Sequence, residues 1–327
     1  MSVRIPPTPL TRQAHPKIRV GVSSCLVGNR VRYDGNHKRD RFVVDVLGQA
    51  FDLVPVCPEV AIGLGTPRPP IRLLSLAADT RVRGIDDDSL DVTDALAAYA
   101  RRIARELKDI SGYVFKCNSP SCGPRGVKVH TRNGRPRSIG VGIFAREFMA
   151  KHSLLPIVDE EHLERSALRD HFIEQVFCYY RWQELLRRGV TRERLRRFHA
   201  GHRLTFMVHA DSRYRNLAHA LGNTDSPLNR LTRSYVCSLM EIFRQRATRN
   251  RHARVLGHVM GYLNKHVAVD DRIELRDAID EYRLRRIPLI VPITLLNRHS
   301  RCLPYPELAN QVYLMPSPEE LRLRYQR

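Results

Sequence analysis

The chain has little lysine, one tryptophan and no long apolar run. Of its 55 basic residues only seven are lysines. The longest apolar stretch, Ile287 to Leu296, is interrupted by Pro288 and Pro292. It falls far short of the roughly 20 residues a membrane span needs, so no membrane association is expected. The opening residues hold Pro6, Pro7, Pro9 and Pro16 among scattered basic side chains, without the apolar core of a secretory leader. Residues 1–17 therefore read as a basic flexible arm. None of the seven cysteines stands in a C-x-x-C pair, so the usual ligand spacing of structural zinc is missing. Their odd number speaks against a disulfide framework and for a reducing, cytoplasmic setting.

Arginine is what the chain has in quantity. The net charge is +21, divided as +9 up to residue 160 and +12 beyond it, so the charge is not a tail. A pI near 10.3 implies an acidic partner, and the guanidinium fork suits phosphates and stacked bases. Nucleic acid leads as that partner. A basic surface inherited from a GC-rich genome is the plainer explanation.

Three short runs, Ile18 to Val22, Phe51 to Val56 and Tyr113 to Phe115, are rich in Val, Ile and Phe and end in Gly, Pro, Ser or Asn. They read as buried strands. Helical patterns separate them: Arg41 to Ala50, and then Val92, Ala95, Leu96, Tyr99, Ile103 and Leu107 at three- and four-residue spacing. The second helix has aspartates crowding its start and arginines its finish, matching the macrodipole. A further helix near Gly142 to His152 and a strand over Leu154 to Val158 complete the pattern. The expectation is an α/β domain with a Rossmann-like parallel sheet and covering helices over residues 18–160. A helical linker over 161–190 and an all-α, arginine-rich domain over 191–327 follow, the latter resting on helical spacings such as Leu231, Tyr235, Leu239 and Ile242.

In such a sheet, ligands bind at the carboxyl ends of the strands. All three runs deliver a cysteine there. Cys25, Cys57 and Cys122 lie outside the apolar runs, where a small core residue would not fall; Cys117 sits at a strand end, where its side chain can turn inward. Cys178, Cys237 and Cys302 lie in helical or apolar surroundings and read as packing residues. Thiolates from three separate loops suit an iron-sulfur cluster, for which dispersed ligands are allowed. Three ligands leave one iron open as a Lewis acid; Cys117 as a fourth would close the cluster.

The flanking residues carry further chemistry. SSCLVGNRVRYDG places Arg32, Tyr33 and Asp34 just beyond Cys25, and PVCPEVAIGLGTPRPP places Glu59 two residues past Cys57. FKCNSPSCGPRG surrounds Cys122 with Ser119, Ser121 and Gly123. A carboxylate beside a metal-holding thiol suits acid-base work. The hydroxyls can meet an anion or sulfide, and Asp34 is equally a turn-capping residue. His199, His202 and His209 lack acidic or thiolate partners in their spacing and read as structural histidines.

Together these three motifs resemble the thiouracil desulfidase family over roughly residues 18–158. Phe198 to Gly222 resembles the opening of a helical domain, long of unknown function, found fused behind that module. Proteins with this layout resemble desulfidases acting on 4-thiouridine in tRNA. The resemblance implies a 4Fe-4S cluster on Cys25, Cys57 and Cys122, with Cys117 not a ligand, and proton handling by Glu59 with a serine, Ser119 before Ser121. Ser24 stands where many relatives have alanine. A thiolated pyrimidine is then the small substrate, oriented by Arg32, Tyr33 and Asp34. The reaction is a non-redox hydrolysis of the C=S bond to uridine and hydrosulfide. The tRNA surface falls to two arginine concentrations: Arg187, Arg188, Arg192, Arg194, Arg196, Arg197 and Arg203, then Arg244, Arg246, Arg249, Arg251 and Arg254. Two other readings stand beside this one: a zinc nucleobase hydrolase, and a non-catalytic RNA-binding protein with a structural four-cysteine cluster.

Overall fold

The computed structural model describes residues 17–76, 79–131, 135–222, 226–264, 266–300, 308 and 310–325. Most of the expected basic arm and Cys302 lie outside the described residues. Strands β1 (Ile18–Ser23), β2 (Phe51–Val56), β5 (Tyr113–Phe115) and β8 (Ile157–Asp159) form an all-parallel sheet in the order β2-β1-β5-β8. Sequence order reverses between β1 and β5, and the crevice at such a switch point is where ligands sit in open α/β sheets.

Both faces of the sheet are covered. One packs Val20, Val22, Phe51 and Val114 against Val43, Leu47, Phe172 and Val176. The other packs Tyr113 and Phe115 against Ala100, Ala104, Phe144 and Phe148 from the helices Thr93–Glu106 and Ile143–Lys151. Two of the aspartates expected at the start of the first of these helices brace its first turn. Asp91 accepts from the Thr93 amide at 3.0 Å, and Arg81 bonds Asp91 and Asp94 at 2.5 and 2.7 Å.

A second sheet, which the strand runs did not reveal, stands beside the expected parallel one. Strands β3 (Ile71–Leu76), β4 (Asp79–Gly84), β6 (Val127–His130) and β7 (Pro136–Gly140) pair in the order β4-β3-β6-β7. Arg72, Arg81, Arg83 and Lys128 interrupt their apolar residues, because one face carries Leu73, Val82 and Val129 into a small core while the other holds these basic side chains beside the buried Leu74.

From Glu160 onward the described residues are helical, with no strand among them. The segment after the sheet is a 22-residue helix, Ser166–Arg187, that enters both cores. Phe172, Ile173, Val176 and Phe177 pack on the parallel sheet, and Cys178 and Trp182 on the helical domain. Burying each such large apolar side chain contributes about 1.5–3 kcal/mol. Gly112 permits the approach, since a Cβ there would lie 2.7 Å from Val176 Cγ2. Gln183 locks it, accepting from Ser111 Oγ at 2.7 Å and donating to the Ile110 carbonyl at 3.1 Å. No described helix is long and apolar enough to cross a membrane.

Candidate active site

Each cysteine-bearing loop is set by local chemistry. β1 runs into a single 3-10 turn, Ser24–Val27, closed by Gly28 at φ 95°, and Cys25 lies in that turn. Cys57 precedes a short helical turn, Pro58–Ala61, whose first residue needs no amide donor because it is proline. The Cys122 loop is tied by Ser119: its Oγ accepts from the Cys122 amide at 3.0 Å and its carbonyl from the Gly123 amide at 2.8 Å. Gly123 is required, since a Cβ would meet Val127 Cγ2 at 2.3 Å and the Ser119 carbonyl at 2.8 Å. Ser23 Oγ, at the end of β1, accepts from the Lys116 amide at 2.9 Å and joins the first loop to the third.

These loops enclose a cleft of about 360 Å³ at the carboxyl edge of the sheet. Cys25, Cys57, Cys122, Glu59, Ser119, Arg32 and Tyr33 line it together. Ser121 is buried behind the wall, where it donates to Glu59 Oε1 and lies 3.0 Å from Ser119 Oγ. A hydroxyl chain thus runs from the cleft wall to the carboxylate. Tyr33 is 45% exposed, with the Arg32 guanidinium 5.4 Å from its ring centre. Asp34 is a turn residue, accepting from the Asn36 amide at 3.1 Å and pairing with Arg32 at 3.3 Å.

Two basic residues join the site that the motifs did not single out. Arg68, 8% exposed, donates Nε and Nη2 to Glu59 Oε2 at 2.9 and 2.5 Å, and reaches the Val31 and Gly65 carbonyls at 2.9 Å each. Its signal was an arginine held between prolines in TPRPP. Lys116 pairs with Glu160; burial works against its ammonium, but that partner outweighs burial and raises its pKa.

Burial pushes the Cys25 thiol up to about 11, with the Cys57 sulfur adding to the effect. It raises Cys57 also, and holds Cys122 far above the ordinary thiol range, where Glu59, Cys57 and Cys25 add to the rise. Three mutually opposed thiols in one cleft are a donor set that a cationic group would discharge. Cys117 lines the same cleft, but its sulfur lies 3.0 Å from carboxylate oxygens of both Glu160 and Glu161 and 3.1 Å from Lys116 Nζ.

A family model described as 2-thiouracil desulfurase matches residues 20–160, and one of a protein of unknown function, DUF1722, matches residues 203–318. Among solved structures, the 4Fe-4S-dependent thiouracil desulfidase TudS is 31% identical, over 45% of this chain and 94% of that one, with a TM-score of 0.36. Residues 20–160 thus form a domain similar to the 2-thiouracil desulfurases. Two uncharacterized proteins are also similar. YbgA of Escherichia coli K12 is 28% identical over 48% of this chain and 94% of its own length; YbbK of Bacillus subtilis 168 is 28% identical over 43% and 95%. The boundaries of the two family models leave the buried Ser166–Arg187 helix between them.

The arginines of the helical half are placed individually. Arg187 and Arg188 pair with Glu184, Arg197 with Glu193 and Arg244 with Glu241. Arg192 and Arg194 bond backbone carbonyls, as do Arg249, at 2.7 Å from Tyr282, and Arg251, at 2.5 Å from His209. Arg203 is half-buried, with Nε unbonded. Arg196, Arg246 and Arg254 are exposed. His199 and His202 are buried among Phe198, Phe206 and Tyr235.

Proposed function

We propose that this protein hydrolyses the thiocarbonyl of a thiolated pyrimidine, 4-thiouridine in tRNA, to uridine and hydrosulfide. The observation that carries the reading is the convergence of Cys25, Cys57 and Cys122 from three adjacent parallel strands on one cleft that also holds Glu59. These three residues would hold a 4Fe-4S cluster, whose open iron, when bound, supplies a Lewis acid for the soft sulfur. The carboxylates beside Cys117 speak against a fourth thiolate.

The chain's own side chains then do positioning and proton work. Arg68 fixes one oxygen of Glu59 and Ser121 the other, so the carboxylate is oriented to take a proton from water attacking carbon 4. The Ser119 and Ser121 hydroxyls offer a path by which that proton returns to solvent or to the leaving sulfide. Tyr33 offers a stacking face and Arg32 a phosphate partner at the mouth. Exposed arginines of the helical domain, Arg196, Arg246 and Arg254 foremost, would hold the folded RNA by its phosphates while the thio-base is extruded into the cleft. Free thiols and an iron cluster suit the reducing cytoplasm.

Anaerobically reconstituted protein is incubated with 4-thiouridine-containing tRNA and with free 4-thiouracil, and loss of thio-base absorbance is followed. Loss on tRNA is expected. No loss on either substrate would defeat the proposal, and loss on the free base alone would remove tRNA from it.

A further inference from the structure

Away from the cleft, the helices Ser166–Arg187 and Arg203–Gly222 bring two histidines and a carboxylate together. The ligand atoms of His171, Glu174 and His209 all lie within 4.8 Å of one another. His171 and Glu174 stand one turn apart and share a helix face. His209 precedes Ala210, whose φ of −158° and ψ of 84° break the second helix. The His209 side chain is fully buried and that of Glu174 nearly so.

The surroundings of His209 pose a donor problem. Nδ1 faces the Gln245 carbonyl at 2.6 Å, and Nε2 faces Glu174 Oε2 at 3.0 Å. Both facing atoms are acceptors, yet a neutral imidazole has one N–H. The contact needs either a proton between Nε2 and the carboxyl group or a cation that the two share. A ligating histidine commonly gives its other N–H to a backbone carbonyl, and Nδ1 stands against such an oxygen. The second ring, His171, lies 5.6 Å away between centroids. Arg324 approaches the other carboxylate oxygen, Oε1, at 3.7 Å, leaving Oε2 to the histidine side.

We propose that His171, Glu174 and His209 form a site for one divalent transition ion, zinc by preference. Two imidazoles and a carboxylate suit zinc. Bonds of about 2.0–2.1 Å require the three atoms to close to roughly 3.4 Å apart on binding. Glu174 is flanked on its helix by Ile173 in the sheet core and Cys178 in the helical core. The ion therefore pins the shared helix to the helical domain at the seam between the two.

The full chain is equilibrated with zinc, desalted and assayed for zinc beside iron. The expected result is about one zinc per chain beyond that of the His171→Gln/His209→Gln double variant, and a Tm that rises with zinc in the wild type alone. Cobalt substitution should give visible d–d bands without thiolate-to-cobalt charge transfer, distinguishing this site from the cysteines. Equal zinc in wild type and variant, or a purely thiolate cobalt spectrum, overturns the site and leaves a proton between His209 and Glu174. Should the variant fail to fold, an unchanged wild-type Tm on adding zinc overturns it equally. None of these readouts uses desulfuration, so the two proposals fail independently.

Discussion

Arg68 and Glu59 form a buried ion pair in which two guanidinium nitrogens, at 2.9 and 2.5 Å, grip one carboxylate oxygen. The other oxygen is held by Ser121. The pair fixes a carboxylate that faces the three-thiol cleft, so orientation of Glu59 depends on a residue outside the cysteine motifs.

Replacing Arg68 should separate position from charge. Arg68→Lys keeps the cation but loses the fork, and a ten- to hundredfold fall in single-turnover desulfuration is expected, roughly 1.4–2.7 kcal/mol of barrier, with iron content retained. Arg68→Ala should also cost about 3–5 kcal/mol of stability, because an unpaired carboxylate remains buried. Denaturant titration measures the second effect.

The cysteines should sort by iron content. Cys25→Ala, Cys57→Ala and Cys122→Ala are each expected to lose most iron and sulfide per chain after anaerobic reconstitution, while Cys117→Ala retains them. Iron loss in Cys117→Ala equal to that of Cys122→Ala would instead establish a closed four-cysteine site.

Acid should loosen the helical domain. Burial lowers His199 to about 4 and His202 to about 3, and the Nε2 atom of each has no hydrogen-bond partner. Their ordinary value is 6.5, so the unfolded chain binds protons first as pH falls. The stability they contribute is complete above pH 6.5 and is lost on acidification towards pH 4 and then 3, by up to about 1.4 kcal/mol per pH unit for each ring. Tm followed by circular dichroism from pH 7 to pH 4 should fall, and less steeply in His202→Gln.

The exposed arginines should not contribute equally to RNA affinity. Arg196, Arg246 and Arg254 are exposed, whereas Arg249 and Arg251 are spent on carbonyls of Tyr282 and His209. Arg196→Glu and Arg254→Glu should weaken tRNA binding and flatten its salt dependence by about one unit of slope per lost phosphate contact. Arg249→Gln should lower Tm. Unchanged salt slopes in the first pair would move the RNA surface elsewhere.

The cysteine-bearing strands are legible in the sequence because Ile18–Ser23 and Tyr113–Phe115 are buried on both faces, which forces continuous apolar runs. The Thr93–Glu106 helix is legible because one face alone is buried. The second sheet is not, since Arg72 and Lys128 alternate with apolar neighbours in strands as short as Val127–His130. Arg68 escapes because its partner is nine residues away and only the folded loop joins them. The nearness of His209 to Glu174 is likewise tertiary. No spacing within Phe198 to Gly222 could reveal it.

The Ser166–Arg187 helix leaves the molecule without a neutral place to cut. A chain ending at residue 165 would bare Val20 and Val114 where Phe172 and Val176 had lain. One beginning after residue 187 would strip Trp182 from beneath Phe198 and Tyr235. A cut at the apparent junction therefore divides a continuous apolar contact and bares apolar surface on both fragments.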